Sequence, residues 1–211
     1  TATLGGKTYE NVTVTLGNSG AAASGTDYSY TGENTIAAGS LTGTDTFTST
    51  ADDLYDAASA ESATIEISGV SGGGASESGT QSVVIAITDA ESAPTVTLGV
   101  NSSSIAENSG SSITVTATLS NKSYQEITVG LSATGGDATV VSGTDFSVPS
   151  SISISPNTSS GSVAFTPTDD SSDPVYEEDE IVTLAISGVT VGSASLGSTV
   201  SKTITITENE T

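Results

Sequence analysis

An all-β fold of two tandem immunoglobulin-like sandwiches, each with seven strands in Greek-key order and the two set end to end, is what the 211 residues predict. Three observations lead there: an internal repeat that spans nearly the whole chain, a composition poor in strong helix formers, and short runs of alternating apolar and polar residues.

The repeat is read directly. Thr1–Leu16, TATLGGKTYENVTVTL, matches Thr116–Leu131, TATLSNKSYQEITVGL. SGTDY, ending at Tyr28, returns as SGTDF ending at Phe146, and DDLYD from Asp52 returns as DDSSD from Asp169. ESATIEISGV from Glu61 answers EIVTLAISGV from Glu180, and SVVIAITDAES ending at Ser92 answers SKTITITENET ending at Thr211. The offset grows from 115 residues (Thr1 to Thr116) to 119 (Glu61 to Glu180), with the differences in loops, where insertions are tolerated. Domains at 1–92 and 93–211 follow. The second carries a leading segment, Thr95–Gly110 (TVTLGVNSSSIAENSG), whose counterpart would lie before Thr1, so the first is expected to lack its first strand. A boundary of the sequence is the favoured cause; a neighbouring segment or chain that covers the open edge is the other reading.

Each element of the second domain follows from alternation. Strand A is expected near Thr95–Ala106, B at Ser112–Leu119, C at Ile127–Ala133, D at Ser151–Ser155, E at Ser162–Thr168, F at Glu180–Ser187 and G at Thr199–Glu208. Ile113, Val115, Ala117 and Leu119, then Ile127, Val129 and Leu131, then Val163 and Phe165, then Val182, Leu184 and Ile186, then Ile204 and Ile206 form the expected inward set. Lys202 shares the parity of Ile204 and requires a bulge or a side chain that snorkels from the strand start. Seven short strands in about 115 residues match an immunoglobulin-like sandwich. The Gly- and Ser-rich runs Ser71–Gly79 and Val191–Ser198 read as flexible surface connections, and Tyr9 and Tyr124 as loop-packing residues. The junction DAESAP, Asp89–Pro94, is too short for a flexible linker, which makes the neighbouring repeat the expected partner of each domain.

Charge narrows the function. Against 25 Asp and Glu stand only Lys7, Lys122 and Lys202, a formal net charge of −22, with no Arg or His. Nucleic acid and anionic membrane surfaces are therefore not expected as partners, because of repulsion, and no run approaches the roughly 18 to 20 apolar residues of a membrane insertion. Without Cys there is no disulfide staple, and without Cys or His there is no zinc ligand set. A chain with only 4% aromatic residues builds its cores from small side chains and gains from an added staple, and a hard metal is the one that composition leaves. The absence of His removes a His-based triad, and the absence of Trp removes the usual platform of a glycosidase cleft. The chain is therefore not expected to be an enzyme.

Strand parity places the acid. In a seven-strand antiparallel unit the AB, CD and EF connections and the exit of G share one pole. Glu107 falls at AB, Asp137 and Asp145 in CD, seven carboxylates of the twelve residues Asp169–Glu180 in EF, and Glu208 and Glu210 at the G exit; only Glu126 lies opposite. In the first domain Asp27, Asp52, Asp53, Asp56, Glu61, Asp89 and Glu91 share the same pole, while Glu10, Glu66 and Glu77 do not. Solvated surface charge is the plain explanation for an acidic chain. Gathering acids from distant segments to one pole favours Ca2+ instead, which takes six to eight oxygens at about 2.3 to 2.6 Å. The candidate metal ligands are Glu107, Asp145, Asp169, Asp170, Asp173, Glu177, Glu178, Glu180, Glu208 and Glu210 in the second domain, with the seven acids named above in the first.

SIAENSG around Glu107, SGTDF around Asp145, TDD at Asp169–Asp170 followed by EEDEIVTLAISGV, and the closing TITITENE resemble, in that order and spacing, the Calx-beta repeats of sodium–calcium exchanger regulatory regions, integrin β4 and large bacterial surface proteins. The resemblance covers both domains. It implies an immunoglobulin-like sandwich with calcium at the loop pole, held by Glu107, Asp145, Asp169, Asp170, Glu177, Glu180, Glu208 and Glu210. In the first domain Asp27, Asp52, Asp53, Glu61, Asp89 and Glu91 match. That domain departs at Ala58–Ala60, opposite Glu177–Asp179, and is expected to bind fewer ions, more weakly, or none.

The expected function is a calcium-binding spacer repeat of a long extracellular protein at a cell surface, adhesin-like and bacterial, stiffened by calcium at the pole and at the inter-repeat junction. A calcium-sensing module is the alternative, and a carbohydrate-binding module ranks below both. The adhesive ligand of such a protein is not written in these residues.

Overall fold

The computed structural model describes residues 1–56, 61–135, 144–169 and 178–208. The chain divides into two units, Thr1–Asp52 with Ala58–Ala90, and Asp53–Ala57 with Glu91–Thr211. In chain order the strands up to the unit boundary are β1 (Ala2–Thr3), β2 (Val12–Gly20), β3 (Tyr28–Ser29), β4 (Glu33–Ile36), β5 (Thr42–Gly43), β6 (Thr48–Ser49), β7 (Leu54–Tyr55), β8 (Glu61–Ser71) and β9 (Ser82–Ile87). After it come β10 (Thr95–Val100), β11 (Ser104–Ala106), β12 (Ile113–Leu119), β13 (Lys122–Ser123), β14 (Ile127–Gly135), β15 (Phe146–Ser147), β16 (Ser151–Ile154), β17 (Ser160–Pro167), β18 (Glu180–Val191), β19 (Ser195–Leu196) and β20 (Ser201–Thr207).

The second unit is a sandwich of two five-stranded sheets, ordered β15-β17-β12-β10-β19 and β11-β20-β18-β14-β16. Sequential strands are split between the sheets, so the connections cross from one to the other in Greek-key fashion. The alternation sets which residues turn inward: Ile113, Val115, Ala117, Leu119, Ile127, Val129, Leu131, Phe165, Val182, Leu184, Ile186, Ile204 and Ile206 are all buried in one continuous core, while Val163 packs against it part-buried. Lys202 is half-buried opposite Leu184 in a ladder without a register shift, so it snorkels rather than riding a bulge.

Strand A departs from expectation. It is two strands rather than one, and they belong to different sheets. β10 runs antiparallel to β12, whereas β11 runs parallel to β20. Between them the polar run bonds to itself and to β12: the Asn101 side chain accepts the Thr114 N–H at 2.8 Å, and the Ser102 hydroxyl donates to the Ser104 carbonyl at 2.8 Å. Strand F is longer than expected because its ladder with β14 continues past two register shifts, through Gly188, to Val191. Inside the presumed loop Val191–Ser198, β19 pairs parallel with β10. The segment Asp53–Ala57 counts with this unit, where β7 pairs parallel with β13.

The first unit keeps one sheet, β4-β2-β8-β9, with the two-stranded pairs β1-β5 and β3-β6 in place of the other. Its core falls into two small clusters, Val12, Val14 and Ile36, and Ala22, Tyr28 and Ala63. Tyr28 stacks on Phe47 at 4.5 Å between ring centroids. Tyr9 and Tyr124 do not pack in their loops, being 103% and 66% exposed.

Candidate metal site

A cavity of about 110 Å3 in the second unit is lined by Glu107, Thr144, Asp145, Thr168, Glu178, Glu180, Ile206 and Glu208. Its walls come from the AB, CD and EF connections and the exit of β20, the four places that strand parity sets at one pole.

Local packing positions each carboxylate. Phe146 is buried and stacks on Phe165 at 5.1 Å, and it pairs with Pro167 in the ladder of β15 and β17. That anchor holds Asp145 at the cavity, and the Thr168 N–H donates to the Asp145 carbonyl at 2.9 Å. Across the other sheet, Ile206 of β20 lies between Ile105 of β11 and Glu180 of β18, so three strands end side by side. Glu107 continues directly from β11 and opens a 3₁₀ turn, which Gly110 stops in the left-handed region at φ 61°. Glu180 is the first residue of β18 and is only 8% exposed. Glu208 follows β20, and its N–H donates to Asp179 Oδ1 at 3.2 Å.

The donor set is wholly oxygen, five carboxylates with the hydroxyls of Thr144 and Thr168, and no cationic side chain is among the lining residues. Hard divalent cations take such ligands, and Ca2+ in particular accepts carboxylates from several segments in irregular geometry. About 110 Å3 is room for an ion with a few waters, each of which fills about 30 Å3 in the liquid. The carboxylates are gathered but not closed into a coordination shell: among the described residues no group of three or more stands at metal-holding geometry.

The other expected ligands are placed differently. Asp169 is exposed just after Thr168 and does not line the cavity, and Asp170, Asp173, Glu177 and Glu210 lie outside the described residues. The first-domain candidates are divided. Asp27, Asp52, Glu61 and Asp89 fall in the first unit, and Asp53, Asp56 and Glu91 in the second. Asp27 Oδ2 accepts the Ala23 N–H at 2.6 Å, a turn-closing bond. Glu61 opens β8 opposite Ile87. Asp53 Oδ2 forms an ion pair with Lys122 Nζ at 2.8 Å, and the hydrogen bond and charge of that ammonium hold its carboxyl below the ordinary carboxylate range. Thr144 and Thr168 were missed by a reading confined to acids; their positions beside Asp145 and Asp169 are the signal that finds them.

No protein-family model matches the chain, and no curated protein matches it. Among solved structures it is similar to the calcium binding domain CBD12 of CALX1.1, at TM-score 0.39 and 12% identity over 94% of this chain and 89% of that one. It is similar also to CBD12 from CALX1.2, at TM-score 0.39 and 12% identity over 96% and 90%. A likeness at this level bears on neither ligand nor role, and the sandwich stands on the strand pairing described above. No helix among the described residues is long and apolar enough to cross a membrane.

Proposed function

We propose that the second unit binds calcium at this pole and that the chain serves as a calcium-stabilised structural repeat. The observation that carries the reading is the convergence of Glu107, Asp145, Glu178, Glu180 and Glu208, from three connections and the exit of β20, on one cavity of about 110 Å3. Burying one carboxylate among four others is costly unless a cation neutralises the group. When bound, calcium supplies that positive charge and ties the four connections together. Glu180 at the start of β18, Asp145, Glu178, Glu208 and Glu107 would hold the ion, and Thr144 and Thr168 would add neutral oxygens. The reading extends to a non-catalytic spacer in an extracellular, adhesin-like protein of bacterial type, supported by the tandem repeat and by the Lys-poor, Ser- and Thr-rich composition.

Calorimetric titration with CaCl2 after chelator treatment tests the reading. A structural extracellular repeat binds near about 10⁻⁴ to 10⁻³ M, and a sensor near about 10⁻⁷ to 10⁻⁵ M. Absence of binding at millimolar calcium contradicts the proposal; a submicromolar constant replaces the spacer with a sensing module.

A further inference from the structure

β18 and β20 run antiparallel into the acidic pole, where their last two pairs are Ile181 with Thr205 and Glu180 with Ile206. Antiparallel strands count in opposite directions, so the same register carried two residues further sets Glu178 opposite Glu208. Both of these side chains line the cavity. Like charges directly opposite each other repel, and a rung of the ladder at this point is pushed apart. A side chain makes the connection instead: Asp179 Oδ1 accepts the Glu208 N–H at 3.2 Å.

Alternation places Asp179 for that role. Glu178 and Glu180 line the cavity and Asp179, between them, does not, because successive side chains of an extended chain point to opposite sides. Asp179 is exposed, whereas Glu180 beside it is buried. Its carboxylate bonds to main chain outside the set of lining residues. The repeat puts Ala60 at the position of Asp179 and Asp89 at that of Glu208, and alanine has no side-chain acceptor, so the first domain lacks this bond by sequence.

We propose that Asp179 is a positioning residue of the pole: without touching the ion, it holds the Glu208 carboxylate beside Glu178 and Glu180, so that calcium meets two walls already assembled. The inference rests on the calcium reading above. Carboxylate ligands are oriented by the hydrogen bonds around them, and loss of such a partner lowers metal affinity by about 10- to 100-fold. Fixing the exit of β20 in advance also lowers the cost of ordering it when the ion binds.

The test compares the wild type with Asp179→Ala and Asp179→Asn in the full chain. Calorimetric titration with CaCl2 is expected to show the alanine variant binding about 10- to 100-fold more weakly. Asparagine loses the same charge but keeps an oxygen acceptor, and is expected to stay within about fivefold of the wild type, as the loss of an exposed charge allows. An equal loss in both variants would make Asp179 a ligand or a source of field, and overturns the proposal; so does wild-type affinity in the alanine variant. NMR in excess chelator reads the bond apart from the metal. The Glu208 amide is expected to exchange slowly with water in the wild type and the asparagine variant, and at least about tenfold faster in the alanine variant. Equal exchange in all three overturns the proposal whatever the titration shows. A wild type that binds no calcium overturns the calcium reading, and the Glu208 amide then still decides whether Asp179 holds the exit of β20.

Discussion

Glu61–Val70 and Glu180–Val189 are near twins in sequence, yet Leu184 and Ile186 are buried where Ile65 and Ile67 are half-exposed. The same holds for Ile204 and Ile206 against Ile85 and Ile87. The strands are alike; what differs is the layer laid over them. In the second unit β10, β11 and the first half of β12 seal the sandwich into one core, and in the first the core remains as two three-residue clusters. A strand pattern therefore specifies a buried face, but only a covering strand completes the burial, and the acidic pole inherits the difference. Glu107 sits on the turn that follows β11, which belongs to that covering layer.

The largest effect that separates the units is expected from paired core truncations. Leu184→Ala leaves a cavity in a sealed core and is expected to cost about 2 to 5 kcal/mol in urea unfolding. Ile65→Ala removes a side chain that is only partly buried against a small cluster, and less than about half that loss is expected. Equal losses would mean that the first unit is as well covered as the second.

Next comes the pole itself. Glu180→Gln preserves shape and removes one buried charge. It is expected to weaken calcium binding at least about tenfold, while raising stability in chelator by up to about 1 kcal/mol as repulsion among the carboxylates falls. Isothermal titration and chemical denaturation read the two signs separately. A loss of stability in both conditions would mark Glu180 as a structural residue alone.

Much of this was legible in the residues. Period-two alternation located strands B to G and their inward faces, because a half-buried strand cannot hide its period. Antiparallel parity alone puts Glu107, Asp145, Glu180 and Glu208 at one end. What alternation cannot carry is partner choice. Nothing in TVTLGVNSSSIA says that its first half joins β12 and its second half β20; that switch depends on Asn101 and Ser102 bonding to neighbouring backbone. Likewise the salt bridge of Asp53 to Lys122 joins residues 69 apart in sequence, a pairing that the repeat does not predict.

That salt bridge gives the smallest expected effect. The Asp53 carboxyl lies below the ordinary range because Lys122 favours its charged form. Its folded value is thus lower than its unfolded value. The pair's contribution is present in full above the ordinary carboxylate value of about 3.9 and is lost as the pH falls through the lowered one. Both groups are well exposed, so the contribution to stability is slight. NMR titration is expected to show a depressed Asp53 midpoint that returns to the ordinary range in Lys122→Met. An unchanged midpoint would remove the pair from the account.

The central claim is that the acidic pole of the second unit holds calcium, and paired thermal melts test it most directly. With free calcium at about 100 times its dissociation constant, binding adds about 2.7 kcal/mol to the stability of the state that binds. For a unit of this size that raises its transition by roughly 10 °C over the melt in excess chelator. The transition of the first unit is expected to move far less. Superimposable melts in chelator and in calcium at that hundredfold excess would contradict the account.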